Sequence, residues 1–190
     1  MFYIRALSGI SFFISLAFSQ VAFTNTIISD SADGASSVYA IDLDSDGDMD
    51  VLSASQNDDM IVWYENNENE DFIRHIISTL ADEAISVYAI DIDADGDIDV
   101  LSASQNNDKI AWYENDGNEN FTEIVISVSA NGASSVYATD IDADGDMDVL
   151  STSFYDDKVV WYENDGSQFF TEYIISDSSD GASSVYTIDI

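Results

Sequence analysis

The sequence predicts an all-β fold: a β-propeller built of four-stranded antiparallel blades, present as an incomplete ring of about three and a half blades. Three observations predict it. Asp42, Asp91, Asp140 and Asp189 recur at a step of 49 residues, as do Trp63, Trp112 and Trp161, and Phe23, Phe72, Phe121 and Phe170, with no insertion or deletion. Each unit divides into four short segments rich in β-branched and aromatic residues, separated by turn-forming clusters. No window carries an apolar stripe at helical period. Four-stranded antiparallel units repeated at this length are the blades of a propeller.

The elements follow in order. The opening stretch MFYIRALSGISFFISLAFSQ has one cation, Arg5, an apolar run over 6–18, and small residues Ala17 and Ser19 before Gln20. Residues 1–19 are therefore expected to be a secretory signal peptide, and 20–190 the propeller repeats. FTNTIIS, 23–29, matches the last strand of a unit. The first full unit then supplies SVYAID (37–42), DVLSAS (50–55), MIVWYEN (60–66) and DFIRHIIS (71–78). The strands flanking the aspartate loop are mostly apolar, as expected of inner strands between neighbouring blades, whereas the last segment alternates polar and apolar more clearly. Two further units repeat this plan. The chain then gives one more first strand, SVYTIDI, and stops inside the motif. The expectation is a piece of a longer protein forming an open arc, with Asp189 unable to complete a metal loop.

Composition bounds the chemistry. There are 38 acidic residues against 4 basic ones, a net charge of −34, yet 46% of residues are hydrophobic. Such a chain can bury a core but cannot collect phosphates, so nucleic acid is excluded as a partner. Membrane insertion after signal cleavage is likewise not expected. Cysteine and proline are both absent, so no disulfide staples the fold and nothing interrupts the ladders.

The charge is concentrated in DLDSDGDMD at 42–50, DIDADGDID at 91–99 and DIDADGDMD at 140–148. Carboxylates at alternate positions turn toward one centre as the chain curls, and Gly47, Gly96 and Gly145 permit the sharp bend. The expected ligands are Asp42, Asp44, Asp46 and Asp50, then Asp91, Asp93, Asp95 and Asp99, then Asp140, Asp142, Asp144 and Asp148. Backbone carbonyls come from Asp48, Asp97 and Asp146, and the last aspartate of each set is expected to clamp with both oxygens. An all-oxygen set without nitrogen or sulfur predicts three Ca2+ sites. The flanks are strands, and position 12 is Ser53, Ser102 or Ser151, so these are not EF-hands.

VYAIDLDSDGDMDVLSAS and SVYATDIDADGDMDVLSTS resemble FG-GAP-like (VCBS-type) repeats, the blades of the integrin-alpha N-terminal propeller. The resemblance covers about 23–190. It implies a seven- or eight-bladed ring, calcium in the loop joining the first two strands of each blade on the aspartates just named, and partner binding on the opposite face. That face would include 56–59, 105–108 and 154–157. The Phe-Gly and Gly-Ala-Pro words that name the family are not preserved here.

The Trp–Tyr pairs at 63–64, 112–113 and 161–162 read as packing between blades. His75 has Ile124 and Tyr173 at its matching positions, and no serine has a repeated histidine partner, so no catalytic residue is expected and the chain is not read as an enzyme. Asn120-Phe121-Thr122 is a glycosylation sequon. The function expected is a secreted, extracellular or cell-surface calcium-binding module for adhesion or for recognition of a protein or carbohydrate ligand. The alternatives are a non-catalytic part of a larger polysaccharide-acting enzyme, or a structural calcium-rich surface protein.

Overall fold

The computed structural model describes residues 25–67 and 71–188. The segment expected to be a signal peptide, Phe23 and Asp189 lie outside them.

Among the described residues, twelve strands form three four-stranded antiparallel sheets, each in meander order. The first holds β1 (Ala35–Ile41), β2 (Asp50–Ser55), β3 (Met60–Asn66) and β4 (Phe72–Ser78). The second holds β5 (Ala84–Ile90), β6 (Asp99–Ser104), β7 (Lys109–Asn115) and β8 (Phe121–Ser127). The third holds β9 (Ala133–Thr139), β10 (Asp148–Ser153), β11 (Lys158–Asn164) and β12 (Phe170–Ser176). No helix occurs among the described residues. The sheets are successive blades of a propeller-type arc, and the ring is not closed.

The sandwich explains why the middle strands are apolar at consecutive positions rather than alternate ones. From the first blade, Leu52, Ala54, Ile61 and Trp63 meet Ala84, Val100, Ala111 and Tyr113 of the second in one buried cluster. Leu101, Ala103, Ile110 and Trp112 of the second meet Ala133, Val149, Val160 and Tyr162 of the third in the next. Both faces of β6 and β7 are thus buried, one against each neighbour. Trp63 and Trp112 are 2% and 0% exposed. Each indole removes roughly 200 Å2 from water, worth about 5 kcal/mol as an upper estimate. Trp63 and Trp112 are interblade packing residues, as the repeat predicts, whereas Trp161 of the third blade is only partly buried.

The fourth strand of each blade is the outer edge, and there the pattern loosens. In register with the tryptophans stand His75, Ile124 and Tyr173. The His75 ring stacks on Trp63 at 4.5 Å between centroids, and Tyr173 on Trp161 at 5.0 Å. His75 also contacts Glu65 at 2.8 Å. Its role is to cover an indole.

Two local devices join blades. Asp59, Asp108 and Asp157 end the tight turns after β2, β6 and β10 with left-handed φ of 57°, 54° and 60°. Their carboxylates accept the backbone N–H of Glu83, Gly132 and Gly181 in the link to the next blade, at 2.9, 2.9 and 3.0 Å. The serine hydroxyls of Ser37, Ser86 and Ser135 on the inner strands accept the N–H of Val87, Val136 and Val185, one repeat on. Through these contacts residues 182–188 lie beside β9 in the position of a fourth inner strand. Neither they nor residues 25–29 join a sheet among the described residues, and Ile27 is 80% exposed.

Candidate metal centres

Each aspartate loop is the connection between the first and second strands of a blade. Its backbone is shaped by two residues of positive φ. Gly47, Gly96 and Gly145 sit at 101°, 102° and 104°, a region closed to side chains, although a Cβ there would meet no neighbour. Two residues earlier, Ser45, Ala94 and Ala143 sit at 61°, 60° and 63°. These residues take the left-handed turn without glycine's freedom.

The curl gathers three carboxylates per loop. Asp42, Asp44 and Asp50 bring ligand oxygens within 4.8 Å of one another, as do Asp91, Asp93 and Asp99, and Asp140, Asp142 and Asp148. The last member of each triad is fully buried and structurally committed. Asp50 Oδ2 accepts the Leu43 N–H at 2.9 Å and Oδ1 the Asn66 N–H at 2.8 Å. Asp99 does the same with Ile92 and Asn115, and Asp148 with Ile141 and Asn164. Each such aspartate ties its own loop to the end of the third strand. The first member reaches across the loop: Asp42, Asp91 and Asp140 accept the N–H of Gly47, Gly96 and Gly145.

The other predicted ligands stand outside the triads. Asp46, Asp95 and Asp144 are exposed, and each accepts the N–H two residues on at 2.8–2.9 Å. Asp97 and Asp146 turn their side chains onto Gly117 and Gly166 in the turn between the third and fourth strands, where a Cβ would clash with them.

The triads have unmet demand for positive charge. Asp42 Oδ1, Asp91 Oδ1 and Asp93 Oδ1 are buried with no hydrogen-bond partner. Desolvation, reinforced by neighbouring carboxylates, raises the pKa of Asp44, Asp93 and Asp142 above the ordinary range. Burial pushes Asp99 up to about 7, against the pull of the Asn115 and Ile92 amides. Buried carboxylate oxygens without donors, converging with no lysine or arginine among them, fit a hard cation. The chemistry such an ion supplies is charge neutralisation that holds the hairpin together.

Comparison with known proteins bears on the same repeats. The FG-GAP-like repeat profile matches residues 42–102, 91–151 and 140–190, so each match begins on the first aspartate of a loop. No curated protein matches the chain. Among solved structures, selenomethionine-substituted virginiamycin B lyase from Staphylococcus aureus is similar with a TM-score of 0.54 and 13% identity. That likeness covers 82% of this chain and 46% of the lyase, so the chain spans under half of that protein, and at this identity the likeness concerns fold alone. Because the repeat profile extends over 42–190, with the aspartate loops and four-stranded units in register, the chain belongs to the FG-GAP-like repeat family.

Proposed function

We propose that the chain is a secreted, calcium-stabilised propeller module that serves adhesion or recognition and does no catalysis of its own. The observation that carries the calcium reading is three aspartate triads at one place in the repeat, the first two of which hold buried carboxylate oxygens lacking any donor. Calcium suits them better than magnesium, because flexible oxygen loops of this kind tolerate six to eight ligands and Mg2+ demands a strict octahedron. Extracellular modules bind calcium at about 10⁻⁴–10⁻³ M, matched to millimolar supply. At tenfold excess over Kd each site adds about 1.4 kcal/mol.

Recognition is supported by a place where the third blade departs from the first two. On the turns opposite the aspartate loops, Gln56-Asn57 and Gln105-Asn106 of the first two blades become Phe154-Tyr155 in the third. Phe154 is 45% and Tyr155 63% exposed, with their rings edge-to-face at 5.5 Å. Tyr155 lies over Gly132 and Phe154 over Gly181, seats that a side chain would fill. An aromatic platform with acidic and amide neighbours suits the apolar face of a sugar or an aromatic-rich protein loop. The net charge of −34 directs it away from nucleic acid and anionic polymers.

Isothermal titration calorimetry of chelator-treated protein tests the metal assignment. Calcium uptake by the three loops, with a rise in Tm, is expected. No uptake, or full recovery of Tm by magnesium alone, refutes it.

A further inference from the structure

We propose that the tyrosines on the inner strands form a site of oxidative cross-linking, where adjacent phenols couple as dityrosine and join successive blades covalently. Tyr39, Tyr88, Tyr137 and Tyr186 recur at the 49-residue step and stand side by side on neighbouring blades. Their ring centroids are 5.0, 4.8 and 5.4 Å apart, with planes at 57°, 42° and 62°. The Tyr88 hydroxyl interacts with those of both Tyr39 and Tyr137, so the phenol ends of these rings, with the ortho carbons beside them, stand together. The Ser37, Ser86 and Ser135 hydroxyl bonds one turn of the pleat away hold the inner strands at that spacing. The column is open to small oxidants, since Tyr39, Tyr88 and Tyr137 are half-buried and Tyr186 is 69% exposed.

The other tyrosines among the described residues are placed differently. Tyr64, Tyr113 and Tyr162 are at most 3% exposed, the last two in the blade interfaces. Tyr155 faces Phe154 and Tyr173 faces Trp161. Among the described residues, every tyrosine–tyrosine ring contact belongs to the column. The chain has no cysteine to intercept a phenoxyl radical or to supply a disulfide.

The step balances with a peroxide-class oxidant acting through one-electron steps. Each of two phenols loses one electron and its hydroxyl proton. The two phenoxyl radicals form a carbon–carbon bond ortho to oxygen, and each displaced ring hydrogen moves to oxygen, restoring both phenols. The two electrons and two protons convert hydrogen peroxide to two waters through a haem peroxidase; with persulfate the two electrons give two sulfates and the two protons pass to the solvent.

The test is visible-light oxidation of the folded chain with a ruthenium polypyridyl and persulfate, followed by peptide mass spectrometry of the monomer fraction. Expected are Tyr39–Tyr88, Tyr88–Tyr137 and Tyr137–Tyr186 links, each lighter by two hydrogen atoms, together with dityrosine fluorescence. Y88F keeps the ring and removes the phenol, so it should lose the first two links and retain the third. Y155F should leave the intramolecular pattern unchanged. A monomer without these links overturns the proposal. So does coupling chiefly through Tyr155 between molecules, or the same pattern from chain unfolded in urea.

Discussion

Asp99 accepts the backbone N–H of Asn115 at 2.8 Å through Oδ1, while its Oδ2 accepts that of Ile92 at 3.0 Å. It is therefore a latch between loop and strand whether or not an ion is present, whereas Asp93 carries a buried oxygen with nothing to bind. The two roles separate by mutation. D99N turns an amide donor toward a backbone donor and should cost about 1–3 kcal/mol even in chelator. D93N relieves repulsion and should leave the chelated protein as stable or more so, while lowering Tm in calcium. Paired urea titrations in each buffer read both signs.

The pH dependence has a definite direction. Asp99, raised to about 7, and Asp44, Asp93 and Asp142, raised to a lesser extent, bind protons more tightly folded than unfolded. Their contribution to the metal-free fold is fully present below the unfolded value of about 3.8 and is lost as pH rises, for Asp99 through about 7. Metal-free protein should therefore show a higher urea midpoint at about pH 5 than at about pH 8. Calcium competes with those protons for the same oxygens, so its presence should flatten or reverse the slope.

Loop backbone strain gives a third prediction. Gly96 at φ 102° has open space around its Cα, so G96A fails for conformational reasons alone and should cost roughly 1–3 kcal/mol. Ala94 at 60° is strained in the other sense, and A94G should change stability by less than about 1 kcal/mol, in the favourable direction. Thermal melts of both variants in calcium check the pair.

The aromatic platform yields the fourth. Replacing Phe154 by Gln and Tyr155 by Asn makes the third blade's turn match the other two. Tm should hold within a few degrees, because both side chains are largely exposed. Binding to an array of neutral glycans and extracellular matrix proteins should be lost. Retained binding would move the recognition surface elsewhere.

Much of this architecture was legible in the chain. Strand bounds from the repeat agree with the observed ones to within two residues, because the loops never change length. The central glycines and the interblade tryptophans also follow from sequence. What escaped was work done by the backbone. Asp50, Asp99 and Asp148 look like ligands in a string of letters, but an amide at the end of the neighbouring strand decides that they are latches too. The left-handed Ala94 and Ala143 carry no compositional mark, nor does Glu83 at φ 55° in a slot that glycine fills in Gly34, Gly132 and Gly181. The tyrosine column left a signal, a fourth residue type at the 49-residue step, and needed only to be read beside the aspartates.

The near-identity of successive blades has a cost during folding. A front face built from Leu52, Ala54, Ile61 and Trp63 meets almost the same partner surface on the second blade as on the third. A collapsing chain can therefore pair blade one with blade three, or with a blade of another molecule, before the right neighbour arrives. Such mistaken pairings must unzip before the correct arc can form, and each newly made copy that meets another in a crowded solution multiplies the wrong choices.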